Sequence, residues 1–287
     1  MLRLVVIGDI HVQAGKLWRM LREAGLADEQ NRPTDALRDG STRLVLLGAL
    51  VQMEQGDYAG AAKTLSPWRG APADAVYGRY NLGIALVRSG QLDAGIAQLE
   101  AIGRMRADSQ EAQALRDKAN VAIGQALLQE QPRLARQALE RVSLTGPLSS
   151  RALLGAGWAD VAAGRHRAAL VPWAELGRRA ISDPAVQEAL LAAPYALLQL
   201  QARDQAAELY SVATERLSAE AARIDAAMQD IRNGRLRDAA IAIDPRTDEL
   251  PPVDELPGST YLGTLIASHG FRRALQDYQD VEALAAN

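Results

Sequence analysis

The chain has 287 residues, a formal charge of -3 and no cysteine, which excludes disulfides, thiolate metal sites and a cysteine nucleophile. Hydrophobic residues make up 48% and aromatics only 4%, and an Ala- and Leu-dominated mix of this kind favours helices over a β-sandwich or barrel. The charge balance carries no basic excess for phosphate neutralisation, so nucleic acid is not the expected partner. No apolar run reaches the roughly 18–20 residues that span a bilayer, and a cytoplasmic location is the expectation.

In chain order, Leu2 to Ile7 is a short apolar run ending at Gly8, the pattern of a buried strand. From Gln13 to Gly25 the period changes, with Leu17, Met20 and Leu21 on one stripe of a helix. Asp28 to Ser41 is polar and reads as a loop. Arg43 to Leu47 returns to a buried-strand pattern, so residues 1–50 are expected to form a short βαβ segment. Its chemistry sits at the strand ends. Asp9 and His11, just past the first strand, offer a carboxylate and an imidazole to a shared divalent metal.

Gly8, Asp9 and His11, followed by Arg43-Leu44-Val45-Leu46-Leu47-Gly48, make residues 1–51 resemble the start of a calcineurin-like metallophosphoesterase. The resemblance implies a metal-dependent phosphoesterase with a divalent ion such as manganese, and Asp9 and His11 as metal ligands. The sequence departs from that family where it matters. Ala49 stands where the family has its metal-bridging Asp, Val12 replaces a Gly, and no later Gly-Asn-His-Glu or Gly-His-x-His follows. The other histidines, His166 and His269, do not complete a two-metal ligand set.

From about residue 50 the chain reads as helices joined by short turns. Five stretches align on a small residue in the second helix of a hairpin: Ala61, Gly95, Ala135, Ala169 and Ala206. Their separations are 34, 40, 34 and 37 residues. Four residues after each small residue stands a bulky apolar one: Leu65, Leu99, Leu139, Trp173 and Tyr210. Gly83, Gly124, Gly157 and Pro194 recur in the first helices. The small residues let paired helices approach, and the large ones fill the gap to the next pair. A helix–turn–helix unit with a period of about 34 residues makes residues 50–213 resemble a tetratricopeptide array.

Beyond residue 213, Leu217, Ala221, Ile224, Met228 and Ile231 step by 4, 3, 4 and 3. That stripe reads as a longer helix capping the array, ahead of a coiled-coil reading. Asn233-Gly234 marks a turn, Pro245, Pro251, Pro252 and Pro257 lie in an acidic linker, and helix is expected again from Thr260 to Ala286. The fold class is therefore mostly α, a tetratricopeptide-like helix-hairpin solenoid preceded by a short βαβ segment. The expected divisions are 1–50, 51–232 and 233–287.

No Gly-x-Ser-x-Gly elbow and no phosphate-binding Gly-x-x-x-x-Gly-Lys-Ser/Thr loop is present. The resemblance instead implies a scaffold without catalytic residues or cofactor. In it the first helices of successive repeats line a groove that takes a protein or peptide partner. In this register Tyr80, Arg88, Gln125, Arg151, Trp158 and Tyr195 face the groove, with Trp158 and Tyr195 at equivalent places in neighbouring repeats. Aromatics so placed are binding anchors or inter-repeat core. His166 falls in a repeat turn and His269 on the terminal helix.

Overall fold

The computed structural model describes residues 42–68, 72–235, 261–262 and 268–285. Every element among the described residues is a helix. The chain divides into two compact units, with the boundary between Arg165 and His166.

The first helix, α1 (Thr42–Glu54), corrects the expected strand at Arg43 to Leu47. A short apolar run cannot be assigned to strand or helix by periodicity alone. Here the helix is enclosed on all sides near its middle: Ala49, Leu50 and Val51 are consecutive and all buried. A helix buried all round loses its 3.6-residue alternation and looks like a buried strand. Ala49 packs with Ala61, Ala62, Leu65, Ala85 and Leu86, supported by Leu46 and Met53. The residue aligned with a metal-bridging Asp is thus a helical core residue, and the βαβ segment loses its second strand. The rest of that segment, with Asp9 and His11, lies outside the described residues.

The first unit continues as α2 (Tyr58–Leu65), α3 (Pro72–Arg88), α4 (Leu92–Gly103), α5 (Gln110–Leu127), α6 (Pro132–Glu140) and α7 (Ser149–Ala162). Local chemistry sets the helix starts. The Asp57 carboxylate accepts the Gly60 N–H at 2.8 Å, and the Ser109 hydroxyl accepts the Ala112 N–H at 3.1 Å. Pro132 opens α6, where its missing N–H costs nothing. The odd-numbered helices α1, α3, α5 and α7 are the first helices of successive hairpins. α1, α3 and α5 each pack against the second helix of their own hairpin, and α3, α5 and α7 against the second helix before them. The first helices also pack on one another, α1 on α3, α3 on α5 and α5 on α7. No comparable packing joins successive second helices among the described residues. The first helices therefore form the more closely spaced layer of this unit.

The alternation of small and large residues explains that packing. Ala61, Ala135, Ala169 and Ala206 are fully buried, and Gly95 is buried on α4. A Cβ added to Gly95 would lie 2.7 Å from the backbone nitrogen of Val87 and 2.8 Å from the carbonyl oxygen of Gly83. The α3 and α4 backbones thus meet where any side chain would force them apart. Leu65, Leu99, Leu139 and Trp173 are all at most 4% exposed. The main core of the unit joins Leu99, Ile102, Leu115, Ile123 and Leu127 with the alanines of α5, α6 and α7.

Two buried polar groups tie the layers together. Asn120 is fully buried on α5. Its amide donates to the carbonyl of Gly103 at 2.9 Å, and its oxygen accepts from Arg141 Nε at 2.8 Å. Arg141 also reaches Glu100 at 2.7 Å, so one network joins α4, α5 and the end of α6. Burial alone would raise the Glu100 carboxyl pKa. Hydrogen bonds and charge from Arg104 and Arg141 outweigh it, and the pKa lies below its ordinary value. Asp160, 2% exposed on α7, accepts from Arg136 Nε at 3.1 Å and from Arg165 at 3.0 and 2.6 Å.

The second unit holds α8 (His166–Leu176), α9 (Pro184–Gln199), α10 (Arg203–Arg232) and α11 (His269–Ala285). Asp183 caps α9 by accepting the Ala185 N–H at 2.9 Å, with Pro184 as the first helical residue. The helices α8 and α10 both pack on α9. Trp173, Leu176, Val186, Ala189, Ala196 and Ala206 are buried between them. Arg216 fixes the middle of α10 by donating to the carbonyl of Gly177 at 3.0 Å. Tyr210 departs from its repeat class at 37% exposure. As expected, α10 is long: it runs 30 residues and ends at Asn233-Gly234.

Three of the turns between consecutive helices share one device. Gly56, Gly90 and Gly164 have φ of 78°, 86° and 73°, left-handed values that glycine adopts without penalty. In the second unit the corresponding turn uses Gln201 at φ 62°. A side chain in that region costs energy. Gln201→Gly is expected to stabilise the second unit by about 0.5–1 kcal/mol, seen as a higher urea midpoint with unchanged slope.

Candidate functional site: the face of the first helices

The face of the closely spaced layer in the first unit is built from α3, α5 and α7. Tyr80 is half-buried on α3 and packs with Ile84 against the main core, and burial raises its phenol pKa. Arg88, one helix end further on, is exposed. Its guanidinium lies 5.1 Å from the centre of the Tyr58 ring and donates to the Tyr58 hydroxyl at 3.4 Å. The stacking holds a cation in place at the surface while leaving its charge in solvent. Gln125 on α5 and Arg151 on α7 are exposed, and Trp158 on α7 is half-buried.

Within this unit the structure separates the expected residues into two kinds. Tyr80 is largely a packing residue, whereas Arg88, Gln125 and Arg151 present polar groups to solvent on three successive first helices. Lys118 belongs to this face as well. It occupies the α5 position equivalent to Arg151, is half-buried, and burial lowers its pKa below the ordinary lysine value. The repeat register could have found it, since residues 77, 118 and 151 are equivalent. Tyr77, at the first of these positions, donates its hydroxyl to Glu111.

Tyr195 belongs to the second unit, on α9, and is 39% exposed. Leu191 and Leu198 flank it at 49% and 40% exposure, one helical turn to either side. These two leucines extend the aromatic anchor into an apolar stripe. The signal for them is the spacing 191, 195, 198 along one side of α9. His166 opens α8, and its Nδ1 is buried with no hydrogen-bond partner among the described residues. His269 opens α11.

Among the described residues no group of three His, Asp or Glu side chains comes together as metal ligands. No described helix is long and apolar enough to cross a membrane. No protein-family model and no curated protein matches the sequence. Solved structures of a protein called MamA are similar. One, titled a crystal structure of MamA, has a TM-score of 0.47 and 18% identity over 59% of this chain and 94% of that one. MamA MSR-1 has a TM-score of 0.46 and 22% identity over 62% and 98%. MamA AMB-1 has a TM-score of 0.45 and 23% identity over 60% and 96%. The hairpin packing described above, and not this likeness, is what supports the repeat assignment.

Proposed function

We propose that the chain is a non-enzymatic, tetratricopeptide-type scaffold that holds a segment of a protein partner on the face of its first helices. The observation that carries this reading is the layer geometry of the first unit. The first helices pack on one another while the second helices do not, which makes the first-helix layer the shorter, inner one. Repeat arrays use that inner surface to take an extended or helical peptide. The exposed polar side chains on it are Arg88, Gln125 and Arg151, with the half-buried Lys118 between them. They favour a peptide that carries carboxylates, since guanidinium groups pair with carboxylates through two parallel hydrogen bonds. Trp158 supplies an apolar contact beside them, and Tyr195 with Leu191 and Leu198 supplies the same chemistry in the second unit.

The test uses peptides selected from a displayed random library against the whole chain. Selected sequences are expected to be enriched in Asp and Glu. Their affinity for an Arg88→Glu, Arg151→Glu variant is expected to fall by about tenfold or more, with helical ellipticity retained. Trp158→Ala is expected to weaken the same peptides. Equal affinity for wild type and the double charge-reversal variant would remove this face as the binding surface.

A further inference from the structure

The long helix α10 outruns its hairpin partner. α9 has 16 residues and α10 has 30, so α9 can lie alongside α10 only as far as about Ser218. The remaining 14 residues extend about 21 Å further. The face that α9 covers does not end with α9. Ala206 and Ala213 are fully buried. Ile224 and Ile231 stand 11 and 18 residues beyond Ala213, about three and five turns of helix, and so lie on the same side. With Met228 between them they are 37%, 38% and, for the methionine, 41% exposed. No helix packs along them among the described residues. The packed face of α10 thus continues as an uncovered apolar stripe at heptad spacing.

The charges beside the stripe show what fits it. From Glu220 to Arg235 the chain holds six charged side chains. Glu220 pairs with Arg223 at 2.6 Å, and Asp230 with Arg235 at 3.0 Å. Asp225 and Arg232 are left exposed, without an ion-pair partner among the described residues. They are seven residues apart, so both lie on one flank of the stripe. Two copies of α10 laid antiparallel, with a two-fold axis beside Met228, bring Asp225 of each copy against Arg232 of the other. One axis makes both pairs, as a self-complementary interface requires. Parallel copies would instead set Asp225 on Asp225 and Arg232 on Arg232, a repulsive arrangement. In the antiparallel register Ile231 of one copy enters between Ile224 and Met228 of the other, the knob-into-hole packing of paired helices.

We propose that a second copy of this chain occupies the stripe. The free ends of two α10 helices pair antiparallel through Ile224, Met228 and Ile231, and the Asp225–Arg232 pairs fix direction and register. A seam of about two heptads belongs to the small, weak class of interfaces, so the dimer forms reversibly with a dissociation constant in the micromolar range. This inference does not depend on the partner-binding role proposed above.

Sedimentation equilibrium of the full chain from about 1 to 200 μM tests it. Wild type is expected to shift from monomer to dimer across that range. Asp225→Arg or Arg232→Asp alone sets like charges opposite each other at both ends of the seam, and each is expected to weaken association about tenfold or more. The two changes together restore opposite charges, and the double variant is expected to return to within about threefold of wild type. Met228→Asp, at an exposed position, is expected to abolish the dimer with helical ellipticity retained. A wild-type chain that stays monomeric throughout would leave the stripe to a different partner and overturn the proposal. So would a dimer indifferent to the single reversals and to Met228→Asp, or a double variant as weak as the single ones.

Discussion

Trp173→Ala is expected to destabilise the second unit by about 3–5 kcal/mol, the range for truncating a large buried aromatic. Trp173 is 2% exposed and is the largest of the fully buried side chains among the described residues. It lies four residues beyond the buried Ala169, where each repeat places its gap-filling residue. The contrast with Tyr210 makes the experiment specific. Tyr210 has the same sequence position in the next repeat, yet is 37% exposed, so Tyr210→Ala is expected to cost no more than about 1 kcal/mol. Urea unfolding followed by helical ellipticity measures both. Similar losses for the two variants would mean that repeat position, and not enclosure by a following helix, sets the energetics.

The second large effect lies in the first unit. Asp160→Ala is expected to cost about 2–3 kcal/mol in the same urea experiment. Removing one partner of a buried ion pair leaves its counter-charge uncompensated, at about 3–5 kcal/mol where burial is complete. Here the side chains of Arg136 and Arg165 are 21% and 42% exposed, so both cations regain part of their hydration and the loss is smaller. Asp160→Asn keeps an acceptor for one arginine and is expected to fall between wild type and alanine. A loss below about 0.5 kcal/mol for the alanine variant would show that the carboxylate does not join α6, α7 and the turn after it.

Much of the hairpin pattern was legible in the sequence because it rests on local rules. Small residues at close helix crossings, bulky residues four positions later and glycines at left-handed turns all leave marks within a dozen residues. The run from Arg43 to Leu47 misled for a physical reason. A short apolar run has no periodicity that separates strand from helix, and only contacts with Ala61, Leu65 and Ala85, which lie further along the chain, decide that it is a helix. The buried polar ties were illegible for a related reason. Asn120 finds Gly103 at a distance of 17 residues and Arg141 at 21, and Asp160 finds Arg136 at 24. No local pattern encodes such pairs, although an Asn set between Ala119 and Val121 on an apolar face hints that it has a partner. Of the expected binding residues, the register placed Arg88, Gln125 and Arg151 on successive first helices. It could not separate the half-buried, core-packed Tyr80 from the exposed Arg88 two turns away, because that distinction depends on what the neighbouring helices cover.

The relation between the helix layers and partner binding is open to one direct measurement: amide hydrogen exchange of the full chain with and without a selected acidic peptide. Added protection is expected along α3, α5 and α7, concentrated around Arg88, Gln125 and Arg151, with α4 and α6 unchanged. Protection confined to α4 and α6, or to no helix of the first unit, would contradict the assignment of the first-helix layer as the partner surface.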